Sequence, residues 1–175
     1  MTKLNAKQLR VSQPTKEELK KIKRTPIYFV LDRIIDTYNI GSLFRLADAV
    51  AAEKMYLCGE MEYPPSIKIH RAAVGTEAWV PWEKCKSTLK TVRKLKKQGV
   101  QIIAIEQDKK AVSYKKLTPS FPCAIVCGNE TEGLPTDVLK EADIIVELPM
   151  HGINKSFNVW GSTAVVTYKV MESIK

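Results

Sequence analysis

Paired cysteines, histidines, long apolar runs and glycine-rich phosphate loops are scarce or missing in this chain of 175 residues, and each shortage excludes a class of protein. The four cysteines, Cys58, Cys85, Cys123 and Cys127, form no C-x2-C pair, and only His70 and His151 stand by as nitrogen ligands, so no metal site is expected. Cys58, Cys123 and Cys127 lie in apolar runs, where cysteine serves as a small buried hydrophobe, and nothing suggests a secreted disulfide framework. A reducing, cytoplasmic setting is expected. The opening residues MTKLNAKQLR hold no apolar signal-peptide core, and no stretch approaches the roughly 18 consecutive apolar residues of a membrane helix. Neither G-x-G-x-x-G nor G-x-x-x-x-G-K-S/T occurs, which removes the two commonest nucleotide-binding fingerprints.

What the chain does have is positive charge. Lys and Arg total 28 against 19 Asp and Glu, a net charge of +9, which points to a polyanionic partner such as nucleic acid. The surplus is local. Residues 1–25 carry eight basic residues and two acids, residues 84–97 carry seven basic residues and no acid, and the remainder is mildly acidic. The length suits one domain of ordinary core size. We divide it into a basic N-terminal extension, 1–25, and a domain proper, 26–175, that begins where Pro26 breaks the short helical pattern of KEELKKIK.

Short apolar runs read as strands at Ile27–Leu31, Met55–Cys58, Ile102–Ile105, Cys123–Cys127 and Ile144–Leu148, with a weaker one near Ala78–Pro81. Amphipathic segments fill the gaps. Ile40, Leu43, Phe44, Ala47 and Val50 form one helical face. Cys85, Leu89, Val92 and Leu95 form another, closed by Gly99, and Phe157, Trp160, Ala164, Tyr168 and Met171 form a third that is expected to meet the sheet or a second subunit. The pattern predicts an α/β fold with a mostly parallel sheet flanked by helices on both faces.

Three polar clusters each follow an apolar strand: Asn39-Ile-Gly41-Ser-Leu-Phe-Arg45, Gly128-Asn129-Glu130-Thr131-Glu132-Gly133-Leu134-Pro135, and the run from Pro149 to Val159 that contains Met150, Gly152, Ser156 and Asn158. In a parallel sheet such loops gather at the carboxyl edge, where α/β proteins bind ligands. Taken singly they have plain readings. Asn39 is a fair N-cap, Gly41 an ordinary helix residue, GNETEGLP a turn with Pro135 opening a helix, and Ser156 and Asn158 are caps. Their order and placement argue for a shared site.

The succession N-x-G-x-x-x-R, G-N-E-x-x-G-L and P-M-x-G-x-x-x-S-x-N-V resembles the three motifs of the SpoU branch of the SPOUT methyltransferases, and Ala72–Pro81 resembles the family's segment between strands two and three. The resemblance implies a C-terminal trefoil knot, an exception to the rule that chains do not thread loops. It also implies transfer of a methyl group from S-adenosylmethionine to a ribose 2′-hydroxyl of tRNA or rRNA. The cofactor would lie among Ile105, Gly128, Asn129, Gly133, Leu148, Met150, Gly152, Ser156, Asn158 and Val159. Arg45, Asn39, Glu130, Ser156 and Asn158 would shape the catalytic site, with Glu130 paired to an arginine such as Arg45 of the same or the other subunit. A guanidinium is a poor base at neutral pH, so Arg45 is assigned to holding the phosphate and polarising the hydroxyl.

The resemblance further implies a homodimer with the final helix in its seam. RNA capture is expected to fall on Arg45, on Lys20, Lys21, Lys23 and Arg24 of the extension, and on Lys90 and Lys94 of the basic helix. The third motif departs from the family's S-L-N-V at Phe157 and carries Trp160-Gly161 behind it, and a bulky Trp160 is expected to narrow the cofactor pocket or alter the seam. Two other readings stay open: a catalytically idle knotted RNA-binding assembly factor, and a knotted base methyltransferase. If the N-terminal charge carries the RNA, deleting residues 1–25 weakens RNA binding and flattens its salt dependence while cofactor affinity is unchanged, as titrations at several salt concentrations would read out.

Overall fold

The computed structural model describes residues 13–174, so the basic positions Lys3, Lys7 and Arg10 lie outside the described residues. The elements run α1 (Lys16–Lys20), β1 (Thr25–Asp32), α2 (Thr37–Ala49), β2 (Ala52–Cys58), α3 (Ile67–Ala73), β3 (Trp82–Cys85), α4 (Thr88–Lys97), β4 (Gln101–Ile105), β5 (Val112–Ser113), β6 (Cys123–Cys127), α5 (Thr136–Glu141), β7 (Ile144–Glu147) and α6 (Val159–Met171). The seven strands form one sheet in the order β3-β2-β1-β6-β4-β7-β5, and every pairing is parallel. Central β6 lies between β1 and β4, with Phe29 beside Ile125 and Ile125 beside Ile103. All five of its residues are buried.

Strand alternation splits the apolar residues into two cores. Phe29, Leu31, Met55, Ile103 and Ile125 face one side, where Ile40, Leu43 and Phe44 of α2, Ile69 of α3, and Val166 and Val170 of α6 cover them. Val30, Ile102, Ala104, Ala124 and Val126 face the other, under Val92 and Leu95 of α4 and Val138 of α5. Each large side chain buried in this way contributes about 1.5–3 kcal/mol relative to exposure. Continuous apolar strands are thus explained by helices on both faces.

Local chemistry sets the element ends. Thr15 and Glu18 form a reciprocal capping box on α1. Pro26 enters β1 near its start, where the register to β2 shifts, because proline has no N–H to give the ladder. Gly99, at φ 78, stops α4.

Several expectations are corrected. Thr76–Ala78 form a 3-10 turn, and the strand expected near Ala78–Pro81 lies instead at Trp82–Cys85. Cys85 therefore ends a strand and does not belong to the helix, which starts after the Ser87 cap. The buried face of α6 is Thr163, Val166, Thr167 and Val170. The aromatic members of the expected stripe, Phe157, Trp160 and Tyr168, are exposed in the single chain. The short α3 and β5 went unpredicted, since an isolated seven-residue helix and a two-residue strand leave almost no periodic signal.

Gly41 has a structural reason. A Cβ there would stand 2.5 Å from the Ala72 Cβ, 2.7 Å from the Ala73 nitrogen and 2.8 Å from the Ile69 carbonyl oxygen, so its absence lets α2 and α3 pack with backbones nearly touching. Gly41→Ala is expected to destabilise the protein by about 1–3 kcal/mol despite alanine's better helix propensity, measured by chemical denaturation.

Candidate active site

The site grows from the carboxyl end of β1. Asp32, 3% exposed, receives a hydrogen bond from the Thr88 hydroxyl, and the Arg33 Nε donates to it at 3.1 Å. Arg33 turns the chain in the left-handed region, φ 50, and its guanidinium reaches Glu132 at 2.5 Å. Asn129 returns the contact by donating its amide to the Arg33 carbonyl at 2.9 Å, while its own oxygen accepts from the Thr131 and Glu132 N–H groups, each at 2.9 Å. The loop after β6 folds tightly on itself: a Cβ on Gly128 would stand 2.6 Å from the Gly133 carbonyl carbon. Asn129 and Glu132 therefore look back toward β1, while Gly133 stands against Gly128.

Glu130 ties this loop to the first and third clusters. Its carboxylate accepts from the N–H groups of Ile35 at 2.8 Å and Asp36 at 3.0 Å and from the Asn39 amide at 2.8 Å. The Asn39 oxygen then accepts from the Asn158 amide at 3.0 Å, and the Asn158 oxygen accepts from the Trp160 N–H at 2.9 Å, capping α6. The direction of donation is forced. A carboxylate only accepts, so Asn39 must turn its NH₂ to Glu130, which leaves its oxygen for Asn158 and the Asn158 oxygen for the helix. Burial pushes the Glu130 carboxyl up, but the N–H groups of Ile35, Asn39 and Asp36 outweigh burial and hold it below the usual carboxylate range.

Beneath this chain of hydrogen bonds is a cavity of about 610 Å³ at the carboxyl ends of β4, β6 and β7. Ile105, Leu148 and Met150 give it apolar wall, Gly128, Asn129 and Gly133 come from the loop after β6, and Ser156, Asn158 and Val159 close it at the start of α6. Glu130 lines it as well. Gly152 does not, standing exposed in the preceding loop with open space around it. Asn39 is buried behind Glu130 at 2% exposure. Asp36, not Asn39, caps α2.

Arg45 lies elsewhere. It is exposed on the outer face of α2, outside the cavity lining, and the expected pairing with Glu130 does not form within one chain, because backbone and asparagine donors already occupy that carboxylate. Lys20, Lys21 and Lys23 are exposed. Arg24 is half-buried and tied to the fold: its guanidinium donates to the Ala52 and Trp79 carbonyls at 3.2 and 3.3 Å, closing the amino edge of the sheet. Lys90 and Lys94, with Arg93 and Lys97, line a shallow depression on α4.

The comparison with known proteins falls on the same residues. The model of the SpoU rRNA Methylase family matches residues 26–168, a span that holds all three hydrogen-bonded clusters. The chain belongs to that family. It is 28% identical over 155 residues to the tRNA (guanosine(18)-2'-O)-methyltransferase of Aquifex aeolicus, covering 88% of this chain and 72% of the relative. It is 28% identical over 148 residues to the 23S rRNA (guanosine-2'-O-)-methyltransferase RlmB of Neisseria meningitidis, covering 85% and 59%. The AdoMet-bound rRNA methyltransferase of Sinorhizobium meliloti superposes with a TM-score of 0.79 at 25% identity, over 95% of this chain and 60% of that one. The chain thus spans well under two thirds of several of the proteins it matches.

Within this SpoU-family fold the departures of the third motif belong together. A Cβ on Gly161 would stand 2.9 Å from the Phe157 ring, so the glycine makes room for the bulky residue. Phe157 lines the cavity and Trp160 does not, which removes the expected narrowing by Trp160. Reading the sequence missed Arg33, Asp32 and Glu106, although each directly ends or follows an apolar strand, the signal that exposed the three clusters. Burial pushes the thiols of Cys58, Cys123 and Cys127 up to about 12, so they are inert core groups.

Because Glu130 is held below its ordinary pKa when folded, its contribution is present above the unfolded value and is lost as pH falls through the folded one. Glu130→Gln is expected to be less stable than the wild type at pH 7 by on the order of 1 kcal/mol, discounted for its partial exposure. Denaturant melts should show that gap closing below about pH 4, and a gap independent of pH would contradict the assignment.

Proposed function

We propose that this chain is an S-adenosylmethionine-dependent RNA methyltransferase that acts on a ribose 2′-hydroxyl of tRNA or rRNA in the cytoplasm, as a homodimer with a trefoil knot in its C-terminal half. The observation that carries the reading is the continuous line Glu130–Asn39–Asn158, which joins the three family motifs over one cavity. The cavity fits the cofactor. About 610 Å³ falls in the usual range of roughly 300–1,000 Å³ for small-ligand sites, and its apolar walls at Ile105, Leu148 and Met150 suit a purine, with the backbone of the 128–133 loop at hand for polar groups.

When bound, S-adenosylmethionine supplies an activated methyl group. The protein's tasks are to orient the hydroxyl, exclude water and help the proton leave. Asn158 fixes the start of α6 at the cavity mouth, and Glu130 fixes the loop opposite it, so that both walls keep their spacing. Arg45 is assigned to the RNA phosphate and to polarising the hydroxyl, reaching the cavity of the partner subunit. Supporting that arrangement, Tyr38 of α2 and Tyr168 of α6 are 59% and 56% exposed, Ile35 just before α2 and Phe157 just before α6 are 62% and 54% exposed, and Arg45 stands on the same helix as Tyr38. Lys20, Lys21, Lys23, Lys90 and Lys94 add a sequence-independent attraction for the RNA backbone.

The test is incubation of the protein with methyl-labelled cofactor and bulk RNA, followed by nucleoside analysis. Ribose-methylated nucleosides are expected. Methylated bases, or cofactor binding without transfer, would overturn the reading. Arg45→Ala is expected to lower the transfer rate by about 100-fold or more while binding of S-adenosylhomocysteine stays near wild type. Full activity in that variant would remove Arg45 from the mechanism.

A further inference from the structure

Four carboxylates line the cavity, and they are not equivalent. Glu130 is committed to Ile35, Asp36 and Asn39, and Glu132 to Arg33. The Glu147 carboxylate accepts no hydrogen bond among the described residues, although its backbone belongs to β7. Glu106 is fixed at its backbone and by one N–H on each carboxylate oxygen. Its backbone N–H donates to the Val146 carbonyl at 3.1 Å, one carboxylate oxygen accepts the Gln107 N–H at 3.0 Å, and the other accepts the Leu134 N–H at 2.8 Å. The neighbouring Gln107 amide is spent on the Lys155 carbonyl.

The seat of this carboxylate is built. Gly133, at φ 66, leaves space that a Cβ would fill by running into Glu106, so the glycine holds the turn and admits the acid together. Each carboxylate oxygen has capacity for a second hydrogen bond after accepting one N–H. Glu106 follows Ile105 directly, so a planar ligand against Ile105, Leu148 and Met150 would bring its attached sugar to Glu106. A vicinal diol donates two O–H groups with a spacing that suits one carboxylate, which is the way acidic residues at strand ends commonly hold ribose.

We infer that Glu106 binds the ribose hydroxyls of the nucleoside cofactor and is a specificity determinant for its sugar, an inference that rests on reading the cavity as the S-adenosylmethionine site. A purely structural alternative exists, since Glu106 also ties the end of β4 to the 128–134 loop. The two differ in one measurable respect. A tie weakens every ligand alike when it is removed, whereas a sugar contact couples the residue to the hydroxyls.

The experiment is calorimetric titration of the full chain with S-adenosylhomocysteine and with its 2′-deoxy and 3′-deoxy counterparts, for the wild type and the isosteric Glu106→Gln. The wild type is expected to bind the parent compound at least tenfold more tightly than one or both deoxy compounds, and Glu106→Gln is expected to reduce that ratio to about threefold or less. An unchanged ratio in Glu106→Gln, or no discrimination by the wild type, overturns the inference while leaving the cavity as the cofactor site. No binding of S-adenosylhomocysteine to the wild type overturns that underlying reading as well. Should Glu106→Gln not fold, a crystal structure of the wild-type complex decides the matter, because a ribose whose hydroxyls both lie beyond hydrogen-bond reach of the Glu106 oxygens excludes the contact.

Discussion

A buried asparagine has to satisfy both ends of its amide, and at Asn39 that requirement binds three distant parts of the chain into one site. Leaving either end unpaired costs about 1–3 kcal/mol. Only an acceptor at Glu130 and a donor at Asn158 meet the need, and these lie 91 and 119 residues away in sequence. Once they are in place, the loop after β6, the start of α2 and the start of α6 cannot move independently. The cavity beneath them keeps its shape because its rim is a single line of hydrogen bonds running from a carboxylate to a helix N-terminus.

The same economy explains the acids of the GNETEGLP loop. Two glutamates in a plain turn would repel each other and bring nothing. Here Glu130 neutralises the N–H groups exposed where β1 runs into α2, and Glu132 closes a relay through Arg33 to buried Asp32. The basic residues of α4, Lys90, Arg93, Lys94 and Lys97, stand on the helix that packs on the opposite face of the sheet from α2 and α6. The rim itself is held by direct hydrogen bonds.

Helix α6 serves two faces. Thr163, Val166, Thr167 and Val170 are buried against the core, while Trp160 and Tyr168 point outward. Periodicity marked an aromatic stripe but could not say what covers it, because a core and a partner subunit select for the same apolar residues. Gly41 is a similar case. As a letter in a helix it looks neutral, and its necessity comes from α3, a helix too short to announce itself in the sequence.

Much of the framework was legible in one dimension. The strands Ile27–Leu31, Ile102–Ile105 and Cys123–Cys127 show themselves because a two-sided parallel sheet demands unbroken apolar runs. The three motifs show themselves because polar residues at successive strand ends converge on one edge whatever the loops do. Those are local rules, and sequence alone determined the fold class, the family motifs and the edge that carries the site. Tertiary structure decided which partner each polar group takes. It gave Glu130 to backbone and Asn39 and not to Arg45, gave Arg24 to two carbonyls, and seated Glu106 over Gly133. The reason is that a hydrogen bond or an ion pair depends on distances of a few tenths of an ångström between residues far apart in the chain, and spacing along a sequence does not encode such distances.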